Sequence, residues 1–207
     1  GLRTRRNVAP FPPSKSSMNL PHTSFFRLAC LLAASGTAGA VMAQPLQKID
    51  PAKSEVVFVS KQMGVPVQGR FQRFDAQLQF DPQHPETSKA TLSIDIGSAT
   101  MGVPESDAEL PKAPWFNAAK FPKAQFVSSS VKALGDGRYQ AAGKLSIKGA
   151  QQDVVVPFQL KPAGSATEAV GAFTIKRLDF KIGEGEWADT SMVANDVQVK
   201  FKFTLVR

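Results

Sequence analysis

Ser54-Glu-Val-Val-Phe-Val-Ser-Lys-Gln62, Met63-Gly-Val-Pro-Val-Gln-Gly69 and Arg70-Phe-Gln-Arg-Phe-Asp-Ala-Gln-Leu-Gln-Phe-Asp-Pro82 form the stretch that decides the fold. In its last third Phe74, Ala76, Leu78 and Phe80 alternate with Asp75, Gln77 and Gln79. A period of two gives a strand with one apolar and one wet face, not a helix. Gly64 and Pro66 sit between the two apolar runs and supply a turn, so the stretch reads as a long antiparallel hairpin. Gly69, inside the second run, predicts a bulge or bend of the kind a strongly curved sheet needs.

The same design repeats downstream. Ala90, Leu92, Ile94 and Ile96 alternate with polar residues, as do Tyr139 to Ile147, Val154 to Leu160, and Val197 to Leu205. Gln125 to Leu134 and Ala169 to Ile175 supply further strands, and Gly135-Asp136-Gly137 and Lys148-Gly149-Ala150 mark turns. Between Gly97 and Pro122 the rhythm breaks. Ser106 to Leu110 can form a turn or two of helix, and Trp115, Phe116 and Phe121 stand among Pro111, Pro114 and Pro122. A long connection with its own apolar residues is a packed lid, either a plain cap or a ligand gate. Eight or nine amphipathic strands with almost no helix make the class all-β and antiparallel. Periodicity does not separate a barrel from a sandwich. Strands of about seven to ten residues and the long hairpin favour a barrel enclosing one ligand.

Residues 1–43 read as a leader. Residues 1–17 look like an upstream extension, with a transit peptide or disordered basic arm as the alternative. Met18 to Ala43 has the basic lead, the short apolar run (Leu28 to Ala40) and the small residues Val41-Met42-Ala43 of a secretory signal, with cleavage expected after Ala43. Residues 44–207 then form one domain. Cys30, the single cysteine, lies in the leader, so the exported chain has no disulfide, as suits a bacterial periplasm. The leader holds five Lys/Arg and no acid, which leaves 20 basic against 17 acidic residues, a formal charge of +3. These charges are interspersed, and nucleic acid is not an expected partner. No stretch after Ala43 is long enough for a transmembrane helix.

Catalytic and metal chemistry find few residues. His84, the one histidine after the leader, stands in the Asp81-Pro82-Gln83-His84-Pro85 turn, with no cysteine and no nucleophile elbow to join it. Gly183-Glu184-Gly185 is too short and acidic to cradle phosphate, and Glu184 with Glu186 reads as a wet loop edge. No catalytic residue, metal ligand or cofactor is expected, and the chain is not expected to be an enzyme.

The ordered motifs resemble the YceI-like family. Lys48-Ile-Asp-Pro-Ala-Lys-Ser-Glu-Val-Val-Phe58, Val67-Gln-Gly-Arg-Phe71 and Phe80-Asp-Pro82 match its opening. Trp115 to Phe126, Gly143 to Gly149 and Arg177-Leu-Asp-Phe180 match its middle and later motifs. The resemblance implies an eight-stranded antiparallel lipocalin-like barrel, exported to the periplasm, holding a long isoprenoid chain of polyprenyl or quinone-tail type. Lys53 and Gln62-Met63 stand where many relatives have histidines, so no role of those histidines is carried over. In such a barrel the expected lining is Phe58, Phe71, Phe80, Leu92, Phe126, Leu145, Phe158, Phe180, Phe201 and Phe203, with Phe116 from the lid. Arg177 and Arg70 are candidates to meet a head group at the mouth, or else to pair with acids such as Asp179 or Asp107. The expected partner is a hydrophobic small molecule, with a homodimer as the candidate assembly. The alternative function is a non-catalytic interaction or stress-response scaffold with a filled barrel.

Overall fold

The computed structural model describes residues 47–81 and 83–206; the leader reading, its cleavage after Ala43, Pro82 and Arg207 lie outside them. The strands are β1 Gln47–Ile49, β2 Glu55–Gln62, β3 Val65–Phe71, β4 Phe74–Gln79, β5 Lys89–Asp95, β6 Ala99–Thr100, β7 Lys123–Gly135, β8 Arg138–Ile147, β9 Ala150–Ala163, β10 Ala166–Lys176 and β11 Asp196–Val206. One short helix, α1, covers Pro104–Glu109. All named pairings are antiparallel.

Eleven strands make eight staves. β1 and β2 both lie against β11, so they are two halves of one stave. Their partners β4 and β3 are likewise halves of the next, and β5 and β6 of the third. β7 to β11 follow as a meander, and the contact of β11 with β1 and β2 closes the ring. Closure pairs most strand edges, and one open edge among the described residues is the outer side of β3 before Arg70. The expected eight-stranded antiparallel barrel is thus present, and it is the pairing of β11 with β1 and β2 that distinguishes it from a sandwich.

The breaks in the staves are corners built by short polar side chains. At Pro51–Lys53 a 3-10 turn is capped by Asp50, whose carboxylate accepts from the Ala52 N–H. Ser54 Oγ donates to Asp50 O and accepts from Thr204 N, which ties the corner to β11. Across the barrel Ser98 Oγ accepts from the N–H groups of both Gln72 and Arg73 and donates to Asp95 O. Backbone groups freed by a bend are satisfied locally, which lets the strands turn without orphaned donors.

Two readings of the opening hairpin change. The turn is Met63–Gly64 alone, both at positive φ, and Pro66 lies within β3 opposite Lys61. Lys61 O is turned to Ala194 N, so Lys61 and Pro66 form a non-hydrogen-bonded pair and the missing proline N–H faces away from β2. Gly69 is no bulge: its ladder runs unbroken from Val56–Phe71 to Gln62–Val65, and the register shifts lie in β7, at Ser128/Ser130 and Ala133/Gly135. What Gly69 supplies is room, because a Cβ there would collide with the ring of Phe58.

Gly143 and Gly171 do the same for Phe126 and Phe201, but there a Cβ would also strike backbone, Val127 O and Pro157 O. A ring can swing aside; a paired strand cannot. Gly143→Ala is therefore expected to destabilise by about 2–3 kcal/mol and Gly69→Ala by about 1 kcal/mol or less. Urea unfolding of the two variants checks the order, and equal losses would show that ring displacement, not backbone, sets the cost.

By strand direction the Met63–Gly64 turn, the 96–122 connection, the Lys148–Gly149 turn and the 177–195 connection share one end of the barrel. There Phe116 meets Phe71 edge-on at 6.0 Å, and Trp115 meets Trp187 at 5.5 Å. The other end is closed by Phe80, Tyr139 and Phe158, with ring centroids 4.9 and 5.6 Å apart in turn. Among the described residues no helix is long and apolar enough to cross a membrane.

Candidate functional site

Inward-facing residues of neighbouring staves pair directly, so the barrel axis is lined in rings. Val56 stands opposite Phe71 and Phe201, Ala76 opposite Leu92, and Leu92 opposite Phe126. They do not fill the interior. A cavity of about 200 Å³ runs among them, walled almost wholly by hydrocarbon, with side chains from every stave. Of the residues expected to line it, Phe58, Phe71, Leu92, Phe116, Phe126, Leu145, Phe158, Phe201 and Phe203 do so, and Arg177 also reaches it.

Phe80 and Phe180 do not. Phe80 follows the end of β4 and packs on Tyr139, below the cavity. Phe180 is buried in the 3-10 turn Arg177–Phe180 beyond β10, where it belongs to the end cap. Alternation specifies which face a residue occupies, not its depth along the axis.

The two arginines stand elsewhere than a mouth. Arg70 is exposed on β3, opposite Val57 and Thr100. Arg177 is 1% exposed. All five of its donors are used by backbone carbonyls: Nε by Ala194, Nη1 by Ile182 and Gly183, and Nη2 by Trp187 and Val193. Among the described residues no carboxylate pairs with it; Asp107 instead accepts from Thr100 Oγ1 and Met101 N. Burial draws the Arg177 guanidinium below its usual pKa. Its function is to gather the 177–195 connection around one cation, which leaves no donor for a ligand.

A second clasp holds the same end. Lys148, in the β8–β9 turn, has a side chain only 4% exposed, and its Nζ donates to Lys181 O and to Glu184 Oε2 at 2.8 Å. The ammonium holds the Glu184 carboxyl below the usual carboxylate range. Glu184 is thus a tether, not merely a wet edge; Glu186 is exposed. His84 bonds the Asp81 carboxylate at 3.2 Å in an exposed turn, and among the described residues no group of His, Cys, Asp and Glu is placed to hold a metal.

Beside the cavity lies a vestibule of about 290 Å³, sharing Phe58, Ser60, Leu110, Trp115 and Val193 with it. Its rim includes Met63, Met101 and Met192, the three methionines beyond residue 43. Met63 is 78% exposed. Unbranched, polarizable side chains adapt to irregular hydrocarbon. Sequence reading overlooked these residues, although all three stand in or beside the breaks between strands. It also overlooked Ser60. Its Oγ is buried, and among the described residues it has no hydrogen-bond partner. The period of two through Val56 and Phe58 already places it on the inward face.

Comparison with known proteins agrees with this architecture. The YceI-like domain matches residues 47–205. Protein YceI of Salmonella arizonae is 32% identical over 168 residues, 76% of this chain and 84% of that protein. A UPF0312 protein of Photorhabdus laumondii is 31% identical over 125 residues, which span 56% of this chain and 65% of its length, just under two thirds. Among solved structures, BcnA of Burkholderia cenocepacia superposes with a TM-score of 0.74 at 40% identity, covering 77% of this chain and 99% of BcnA. A polyisoprenoid binding domain from Saccharophagus degradans shares the fold, with a TM-score of 0.60 at 14% identity over 77% and 97% of the two chains. With a closed eight-stave barrel and a domain match over nearly all of it, the chain belongs to the YceI-like family.

Proposed function

We propose that this protein is a non-catalytic carrier or store for an extended isoprenoid-type lipid, of polyprenyl or quinone-tail character, held along the barrel axis and handled in the periplasm. The observation that carries the reading is the cavity itself: hydrocarbon-walled, and continuous in its lining with a methionine-rimmed vestibule. A filled scaffold has no use for such a space. The binding of a polyisoprenoid by a domain of the same fold supports the ligand class. The secretory-signal pattern of residues 18–43 supports the compartment.

The energetics favour a chain over a compact polar molecule. With so little polar lining, affinity comes from apolar area removed from water, at roughly 25 cal/mol per Å², less the cost of ordering the chain. Among the described residues Arg177 is the titratable residue on the cavity wall, and its engaged donors support a non-catalytic reading. Mass spectrometry of an organic extract of natively purified protein tests this. A polyprenyl or quinone species near one per chain is expected. A blank extract that persists after incubation with membranes would remove the carrier reading.

A further inference from the structure

Resting on that lipid-carrier reading, we infer that Ser60 is the polar anchor of the site and that the ligand's head group is an uncharged oxygen function, an alcohol or a quinone-type carbonyl, and not a phosphate. Ser60 lies on β2 at the neck, the level where cavity and vestibule meet, and lines both. Its neighbours on the inward face are Phe58 below and, across the hairpin, Val67. Among the described residues nothing donates to or accepts from its Oγ.

That hydroxyl is costly where it stands. A buried polar group without a partner costs roughly 1–3 kcal/mol, and a strand offers no carbonyl one turn back for a serine to bond. On a cavity wall otherwise almost wholly hydrocarbon, its use is to meet a single oxygen brought in on an apolar chain. The tail then runs inward past Phe58 and Phe126, and the head stops at the neck.

The charge pattern decides between head groups. A diphosphate needs several cationic or N–H donors converging on it. Among the described residues the cavity and vestibule walls offer one cation, Arg177, whose five donors are already taken. The charged residue lining the vestibule is Glu109, an acid, and the nearby Lys112 is paired to it. A neutral head loses nothing there. A phosphate there would meet a carboxylate and, among the described residues lining the two spaces, no free cation.

The test uses the whole exported chain and three probes of equal length: geranylgeraniol, geranylgeranyl diphosphate, and the hydrocarbon lacking the hydroxyl. Binding is read from the fluorescence of Trp115 and Trp187 at the neck. Wild type is expected to bind the alcohol at least about 10-fold more tightly than the diphosphate. Ser60→Ala is expected to weaken the alcohol about 3- to 10-fold, the worth of one hydrogen bond, and to leave the hydrocarbon unchanged. Without lipid, the variant should be at least as stable as wild type, since it loses an orphaned hydroxyl. Equal binding of the diphosphate, an equal effect of Ser60→Ala on alcohol and hydrocarbon, or destabilisation of the lipid-free variant would each overturn the inference. Failure of all three probes to bind would instead overturn the carrier reading on which it rests.

Discussion

Replacing Arg177 by methionine is expected to lower the unfolding free energy by about 3–5 kcal/mol, most of the margin of a domain with ordinary stability. Methionine keeps the apolar stem and much of the volume. It removes the five donors that satisfy Ala194, Ile182, Gly183, Trp187 and Val193. Each buried carbonyl left unpaired costs roughly 1–3 kcal/mol, and relaxation toward solvent near Trp187 keeps the sum below the arithmetic total. The guanidinium stays charged at any working pH, so pH should not rescue or mimic the effect. Thermal unfolding should fall by roughly 10 °C, since 1 kcal/mol moves a domain this size about 2–4 °C. Arg177→Lys, with three donors on one nitrogen, should recover only part. A Tm within about two degrees of wild type, together with weakened lipid binding, would instead return Arg177 to the head-group role that its charge suggests.

The contrast shows what a sequence carries and what it does not. The period of two from Phe74 to Phe80, and again from Val197 to Leu205, specifies strands and faces because side-chain direction is a local property of extended backbone. The barrel follows once the staves are counted, and the family motifs fall on its corners: Asp50 to Ser54 is a capped bend tied to β11. Arg177 was not legible because its partners are backbone atoms of residues 182–194, and a carbonyl looks the same in every residue. Gly69 was misread for a related reason. A missing side chain signals either a bend or a close neighbour, and only the register places Phe58 over it. Phe80 and Phe180 failed on depth, which depends on stave tilt and stagger and not on alternation. Ser60 was legible and overlooked: Val56, Phe58 and Ser60 share one face, and a hydroxyl on an apolar face is the informative exception.

Narrowing the barrel is expected to abolish lipid loading while leaving the fold intact or firmer. Ala76 on β4 and Ala141 on β8 line the cavity from staves three apart, opposite Leu92 and Val156. Ala76→Leu with Ala141→Leu puts three extra carbons on each wall of a space of about 200 Å³. An isoprene unit has five carbons, worth about 4 kcal/mol gross when buried at roughly 0.8 kcal/mol per methylene. Denying the chain even one such unit should cost more than the 1.4 kcal/mol that equals a factor of ten, after allowance for the ordering it no longer needs. Extracted lipid per chain should therefore fall at least about 10-fold. The protein without lipid should melt no lower than wild type, because carbon added to a void gains contacts, whereas carbon forced into a filled core costs about 1–3 kcal/mol per site. The two readouts together discriminate every case. Loss of lipid with stability kept places the ligand on the barrel axis. Loss of stability means the interior was already full, and full loading in a stable variant means the lipid binds somewhere other than the barrel.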